Sequence, residues 1–184
     1  MILSIPYQAL EIGNIHLTPF QADKYGKAVA RLSYKDNSID FQDVSILSPP
    51  MKVINYNPEN SRLRIDLSDQ CNFQVKLSTL QEYLVSTFYA HQQSFLNQKH
   101  ESYDNIRNLF HFLLDGTTLC LYIFPTSIIK RADGTICKVS ELAPGDMIRC
   151  VIRLQGISQV RSKFSVRLRL QHSIPSMWSI PSDS

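Results

Sequence analysis

The sequence predicts a mainly β domain interrupted at mid-chain by two helices, and three observations predict it. Short apolar segments that alternate with polar residues and end in turn formers fill the first and last thirds of the chain. The apolar period lengthens to the helical one only between Ser78 and Leu114. Finally, 184 residues with 43% hydrophobic and 10% aromatic content suffice for one ordinary core, while 19% charged residues with six Gly and nine Pro exclude a disordered or fibrous chain. Residues 1–172 are expected to form that single domain, with 173–184 as a C-terminal tail.

Taken in order, the first strand is expected over Ala9 to Thr18. The next spans Lys27 to Tyr34, where Ala28, Ala30, Leu32 and Tyr34 share a face, and Phe41 to Leu47 follows the turn KDNS. Pro49 and Pro50 hold SPPMKV extended. After the turn-rich NYNPEN, Arg62 to Leu67 alternates Leu63, Ile65 and Leu67 with Arg62, Arg64 and Asp66, and a further short strand is expected over Asn72 to Leu77. Then Leu80, Leu84, Phe88, His91 and Phe95 fall on one helical face, with Ser78-x-x-Gln81 as a capping box. A second helix is expected from Tyr103 to Leu114, ending at Asp115-Gly116. Strands resume with Thr118 to Phe124, a loop KRADGT, a short ICKVS strand and the pair MIRCVIRL and FSVRLRLQ.

That last pair carries the functional argument. The whole chain has 19 Lys and Arg against 16 Asp and Glu, a net charge of only +3. Between Ser127 and His172, however, nine bases face three acids, a net of +6, so the remainder is mildly acidic at −3. In MIRCVIRL the apolar Ile148, Cys150, Ile152 and Leu154 share one face; in FSVRLRLQ, Phe164, Val166, Leu168 and Leu170 do. Joined by the loop QGISQVRSK as an antiparallel hairpin, the strands place Arg149, Arg153, Arg167 and Arg169 on one exposed surface, with Arg161 and Lys163 at its tip. Like charges side by side on a sheet repel, so such a face asks for an anionic partner. The competing reading is that the arginine stems cover apolar surface with solvated heads, or pair with Asp40, Asp43 or Glu59.

Other residues bear on the same question. Cys120, Tyr122 and Phe124 share one face of their strand, where Tyr122 and Phe124 either stack bases or sit in the core beneath the helices. Trp178 and Met177, in the tail, are candidates for a homo-oligomer interface or for docking on their own domain. The cysteines Cys71, Cys120, Cys137 and Cys150 are spaced 49, 17 and 13 residues apart, which is no zinc or redox motif and reads as free thiols in a reducing compartment. His16, His91, His100, His111 and His172 show no metal-ligand spacing, and neither a phosphate-binding glycine loop nor a nucleophile elbow occurs. The expectation is therefore a binding protein, not an enzyme, with no cofactor and no metal. With no secretory leader and no apolar run near about 18 residues, it is expected to be intracellular, in cytoplasm or nucleus, and off the membrane.

The layout, from "ILSPPMKV" through "LLDGTTLCLYIF" to "ELAPGDMIRCVIRLQGI … FSVRLRLQH", resembles the OB-fold single-stranded-DNA-binding proteins of large double-stranded DNA viruses over residues 27 to 172. The resemblance implies an OB-like antiparallel β-barrel with a helical insertion, and a location in the host cell. It implies phosphate-holding roles for Arg149 and Arg153 after Pro144-Gly145-Asp146, for Arg167 and Arg169 on the partner strand, and for Arg62 and Arg64 earlier. Lys130 and Arg131 add positive charge beside them. The chain is shorter than many members and ends in IPSMWSIPSDS without a long acidic tail. The expected function is sequence-nonspecific binding of single-stranded DNA, with RNA not distinguished, in replication, recombination or repair. The alternative is a virion or assembly component whose basic face meets an acidic protein.

Overall fold

A computed structural model describes residues 3–96, 101–161 and 166–181. The N-terminal part is a series of short strands. β1 (Ile5–Pro6) leads through 3-10 turns at Tyr7–Ala9 and Ile12–Asn14 into β2 (Ile15–Leu17). The strand expected from residue 9 to residue 18 is thus reduced to three residues, because the turns let both Leu10 and Ile15 reach the core. β3 (Gln21–Ala22), β4 (Ala28–Lys35), β5 (Asp40–Phe41) and β6 (Val44–Leu47) follow, and Ala30, Leu32 and Tyr34 of β4 are buried as the alternation requires. β7 (Met51–Asn57) and β8 (Arg62–Asp66) form a hairpin with a bulge between Val53 and Asn55.

The helical insertion is longer than expected at its start and shorter at its end. α1 (Cys71–Ala90) begins well before Ser78, so Asn72 to Leu77 is helix and Ser78 is an interior residue, not a cap. Phe73, Val75 and Leu77 alternate like a strand, but Phe73 and Leu77 are also one helical turn apart and continue into Leu80, Leu84 and Phe88. Val75, left over by that pattern, is 57% exposed. Gln81, expected to cap the helix, is buried, and its Oε1 accepts the Leu114 N–H at 3.1 Å. α2 (Gln92–Leu96) is a separate short helix. α3 (Tyr103–Leu109) starts at Ser102, whose hydroxyl accepts the Asn105 N–H at 3.2 Å.

α3 stops at Leu109, not Leu114, because the next residues enter the sheet: β9 (Phe110–His111) pairs in parallel with the last strand, and β10 (Leu114–Asp115) pairs with β11 (Thr118–Tyr122). β12 (Ile128–Lys130) and β13 (Ile136–Lys138) form a small hairpin before β14 (Met147–Arg161) and β15 (Val166–Ile180). These two strands of 15 residues each organise the rest. One edge of β14 pairs in turn with β7, β6 and β4; its other edge pairs with β15, which in turn meets β12 and β9. The protein is mainly β, with one large mixed sheet that adds parallel joins to antiparallel ladders. α1 packs its apolar face on the inner side of that sheet, against Leu119, Ile152, Leu154 and Leu170.

The C-terminal hairpin differs from expectation in register. Residues 147–154 pair with 172–180, and residues 156–161 pair with 166–171. QGISQVR is therefore strand, not loop, because Ile157 and Ser158 are buried against β4. Gly156 makes that approach possible: a Cβ there would lie 2.6 Å from the Ala30 carbonyl oxygen. Residues 173–180, expected as a tail, are the second half of β15, and Met177 is only 4% exposed, so it packs in the core and is not free for a subunit interface. Phe164 and Lys163 lie outside the described residues.

Candidate nucleic-acid interface

The corrected register disperses the four hairpin arginines. Arg149 stands opposite Trp178 and Arg153 opposite Ser173, whereas Arg167 stands opposite Val160 and Arg169 opposite Ser158. From Arg149 to Ser158 is nine residues of β14, about 30 Å at about 3.3 Å per residue. Arg149 and Arg153 also have protein partners. Arg149 donates from Nε to the Ser48 carbonyl at 2.8 Å; Arg153 points Nε at Ser45 Oγ (3.5 Å) and Asp43 Oδ2 (4.0 Å). Pairing with Asp43 is the competing reading of the sequence, and for Arg153 it holds.

A different set of basic residues converges instead. β7, β8 and β11 lie side by side, and their register aligns Asn57, Arg62 and Tyr122 in one row and Asn55, Arg64 and Cys120 in the next. Paired residues project to the same side, and since Leu63, Ile65, Leu119 and Leu121 take the inner side, both rows face outward. The β7–β8 turn is shaped by two Asx contacts, Asn57 Oδ1 accepting the Glu59 N–H and Asn60 Oδ1 accepting the Arg62 N–H. Ser61, at φ 58°, holds a left-handed backbone immediately before Arg62.

β15 supplies the opposite wall. The Arg169 guanidinium lies 4.5 Å from the centre of the Tyr122 ring, and Arg62 donates from Nε and Nη2 to the Tyr122 hydroxyl at 3.0 and 2.6 Å. The Tyr122 backbone N–H donates to His172 Nε2 at 3.0 Å, which requires that nitrogen to be unprotonated. The end of β9 and the residue that follows it add His111 and Phe112. Together these residues line a cleft of about 450 Å³, and a second depression of about 280 Å³ shares Tyr122, Arg169, Leu170 and His172 with it and extends toward Lys27, Gln155 and Ser158. The result is an elongated groove.

Its electrostatics are lopsided. Among the described residues ion pairs join Lys35 to Asp40, Arg107 to Glu82 and Arg153 to Asp43, and none involves Arg62, Arg64, Arg167 or Arg169. Asp115 is the carboxylate in the cleft lining and pairs with none of them. The field is felt by the histidines. Desolvation, and then the charges of Arg169, Arg62 and Arg167, hold the His111 pKa below the ordinary imidazole value. Burial lowers that of His172 as well; a contact with the Leu170 carbonyl opposes the shift and Arg169 adds to it.

The other expected residues lie elsewhere. Phe124 is 76% exposed but does not line the cleft, and neither it nor Tyr122 is core. Arg161 is exposed at the end of β14 beside Gln159, Lys163 is outside the described residues, and Lys130 and Arg131 are exposed on β12 and the turn after it. Trp178 is half-buried in β15. His111, Phe112, His172 and the three asparagines are the lining residues that sequence reasoning missed; no local spacing announces them, since pairings across the sheet bring them in. Among the described residues no three His, Cys, Asp or Glu side chains gather as a metal site would need, and no helix is long and apolar enough to cross a membrane. Burial pushes the Cys150 thiol up to about 12. Set against known proteins, the chain matches no family model, no curated protein and no solved structure.

Proposed function

We propose that the protein binds single-stranded nucleic acid, DNA before RNA, along the groove between β8, β11 and β15, without sequence preference and in the service of replication, recombination or repair. The observation that carries this reading is the convergence of Arg62, Arg64 and Arg169, with Arg167 two residues away on β15, without a paired carboxylate. Such a set of cations destabilises the free protein by mutual repulsion, and a polyanion relieves it. The continuation of the cleft into the second depression favours a chain of phosphates over one small anion. The amides of Asn55, Asn57 and Asn60 beside the arginines suit the edges of bases that are splayed out, as only an unpaired strand offers them.

Tyr122 has a particular place in this scheme. Its ring is occupied by Arg169 and its hydroxyl by Arg62, so it orients two phosphate-binding guanidiniums and does not offer a bare stacking face. The resemblance to viral OB-fold single-stranded-DNA-binding proteins points to the same ligand class. Anisotropy of a labelled single-stranded oligonucleotide over a range of salt tests the proposal. If the four arginines each hold one phosphate, log affinity falls against log salt with a slope near −0.7 per contact, about −3 in all. Equal binding at low and high salt, or none at low salt, overturns it. Parallel titrations with RNA and with duplex DNA set the preference.

A further inference from the structure

Trp178 is the chain's single tryptophan, and the sheet places it in a row of its own. On one side the parallel join to β12 sets Lys130 beside it; on the other the antiparallel ladder sets Arg149 beside it. Neighbouring strands are about 4.8 Å apart and paired residues project to the same side, so the indole lies between two cationic residues. Met177 is buried, which turns Trp178 outward, and its side chain is partly exposed.

Two features set this row apart from Tyr122. Among the described residues no aromatic ring or guanidinium lies on the indole, because Arg149 is drawn away to the Ser48 carbonyl. The surroundings are also cationic and apolar: Ile128 is 55% and Ile136 59% exposed, and Lys138 and Arg131 are exposed beside them. The nearby carboxylates are engaged, Asp133 by the Thr135 N–H and hydroxyl and Glu141 by the Lys138 N–H.

We propose that Trp178, with Lys130 and Arg149 on either side, is a second subsite for single-stranded nucleic acid, at which a base stacks on the indole and Lys130 holds an adjoining phosphate. The proposal rests on the nucleic-acid reading of the cleft. Trp178 and Arg169 stand nine residues apart on β15, about 30 Å; the register irregularity between Ser173 and Ser176 offsets the odd spacing, and with Leu168, Leu170 and Met177 buried both face away from the core, so one bound strand along β15 reaches both.

Because there is one tryptophan, its emission reports this subsite alone. The wild-type protein is titrated with labelled oligothymidylate of about 20 nucleotides, longer than the roughly 4–16 that one OB-type surface covers, and tryptophan emission is read beside label anisotropy. The expected result is quenching that follows the anisotropy curve. Trp178→Leu then weakens binding by roughly five-fold or more and Trp178→Phe by less. Lys130→Ala, at an exposed position that does not threaten folding, lowers the salt slope by about 0.7. An anisotropy rise without quenching, and with Lys130→Ala unaltered, overturns the subsite and leaves the cleft standing. No anisotropy rise at low salt removes the cleft reading and the subsite with it. Emission that shifts with protein concentration before any oligonucleotide is added makes this face a contact between copies, and the proposal fails.

Discussion

At one end of the β14–β15 pair, Arg149 reaches the Ser48 carbonyl and Arg153 leans toward Ser45 and Asp43; toward the other, where Arg161 pairs with Val166, Arg169 lies on Tyr122 near Arg62 and no carboxylate meets it. The residue type and the strand pair are the same, and the neighbours differ. The segment from Asp43 to Ser48 offers acceptors, so an arginine beside it becomes part of the fold. β8 and β11 offer more arginines and a tyrosine, so an arginine beside them adds to an uncompensated charge. Positive charge on a strand therefore says little about binding until the strand across from it is known.

The harshest way to break the comparison is to disturb the joint between the two ends. Gly156→Val drives a side chain into the Ala30 carbonyl, which a Cβ would meet at 2.6 Å, and about 3 kcal/mol of stability is expected to be lost in urea unfolding. Single arginines separate the ends more gently. Arg169→Ala is expected to weaken oligonucleotide binding by about 1.5–2 kcal/mol, at least ten-fold, with little change in stability. Arg149→Ala is expected to cost about 1–1.5 kcal/mol of stability, because the Ser48 carbonyl loses its donor. Tyr122→Phe keeps the ring under Arg169 and removes the acceptor for Arg62, so binding should weaken by about 1 kcal/mol. A pure stacking role for Tyr122 predicts no change.

The smallest effect is in pH, and its two parts run in opposite directions. His111 has a depressed pKa in the free protein, and a phosphate bound among the arginines raises it. Binding therefore takes up protons, and affinity is expected to rise as pH falls below about 6.5, a trend that His111→Gln flattens. His172 is also depressed, so its contribution to stability is present above about pH 6.5 and is lost as pH falls toward its lower folded value. Protonation there also removes the acceptor for the Tyr122 N–H.

Much of the sheet was legible because alternation is local. Arg62 to Leu67 and Thr118 to Phe124 each bury one face as their sequences demand; Lys27 to Tyr34 does so from Ala30 onward, while Val29 of the opposite face is buried as well. The errors arise where two periods fit the same residues or where a distant strand decides. Phe73, Val75 and Leu77 satisfy a strand and a helix equally, and only the continuation through Leu80 and Leu84 selects the helix. Phe110 to Asp115 carries helical spacing, yet its hydrogen bonds go to β15 and β11, which no local pattern encodes. Gly156 has the composition of a turn and serves instead as a point of close approach. Arg62, Arg64, Arg167, Arg169 and Tyr122 were visible as candidates. Their separation from Arg149 and Arg153 depends on a register that the two arginine strands, each consistent with several alignments, leave open.

The central claim is that the cleft arginines and their neighbour Arg167, and not the arginine held beside Asp43, carry the phosphate contacts. The most direct test is the salt dependence of oligonucleotide binding for three proteins: the wild type, a variant with Arg62, Arg64, Arg167 and Arg169 all changed to Ala, and Arg153→Ala. The predicted result is an unchanged slope in Arg153→Ala and a slope shallower by about 3 in the fourfold variant, which keeps the Lys130 contact of about 0.7, while its unfolding midpoint holds. A slope that stays at its wild-type value without Arg62, Arg64, Arg167 and Arg169, or one that flattens in Arg153→Ala, contradicts it.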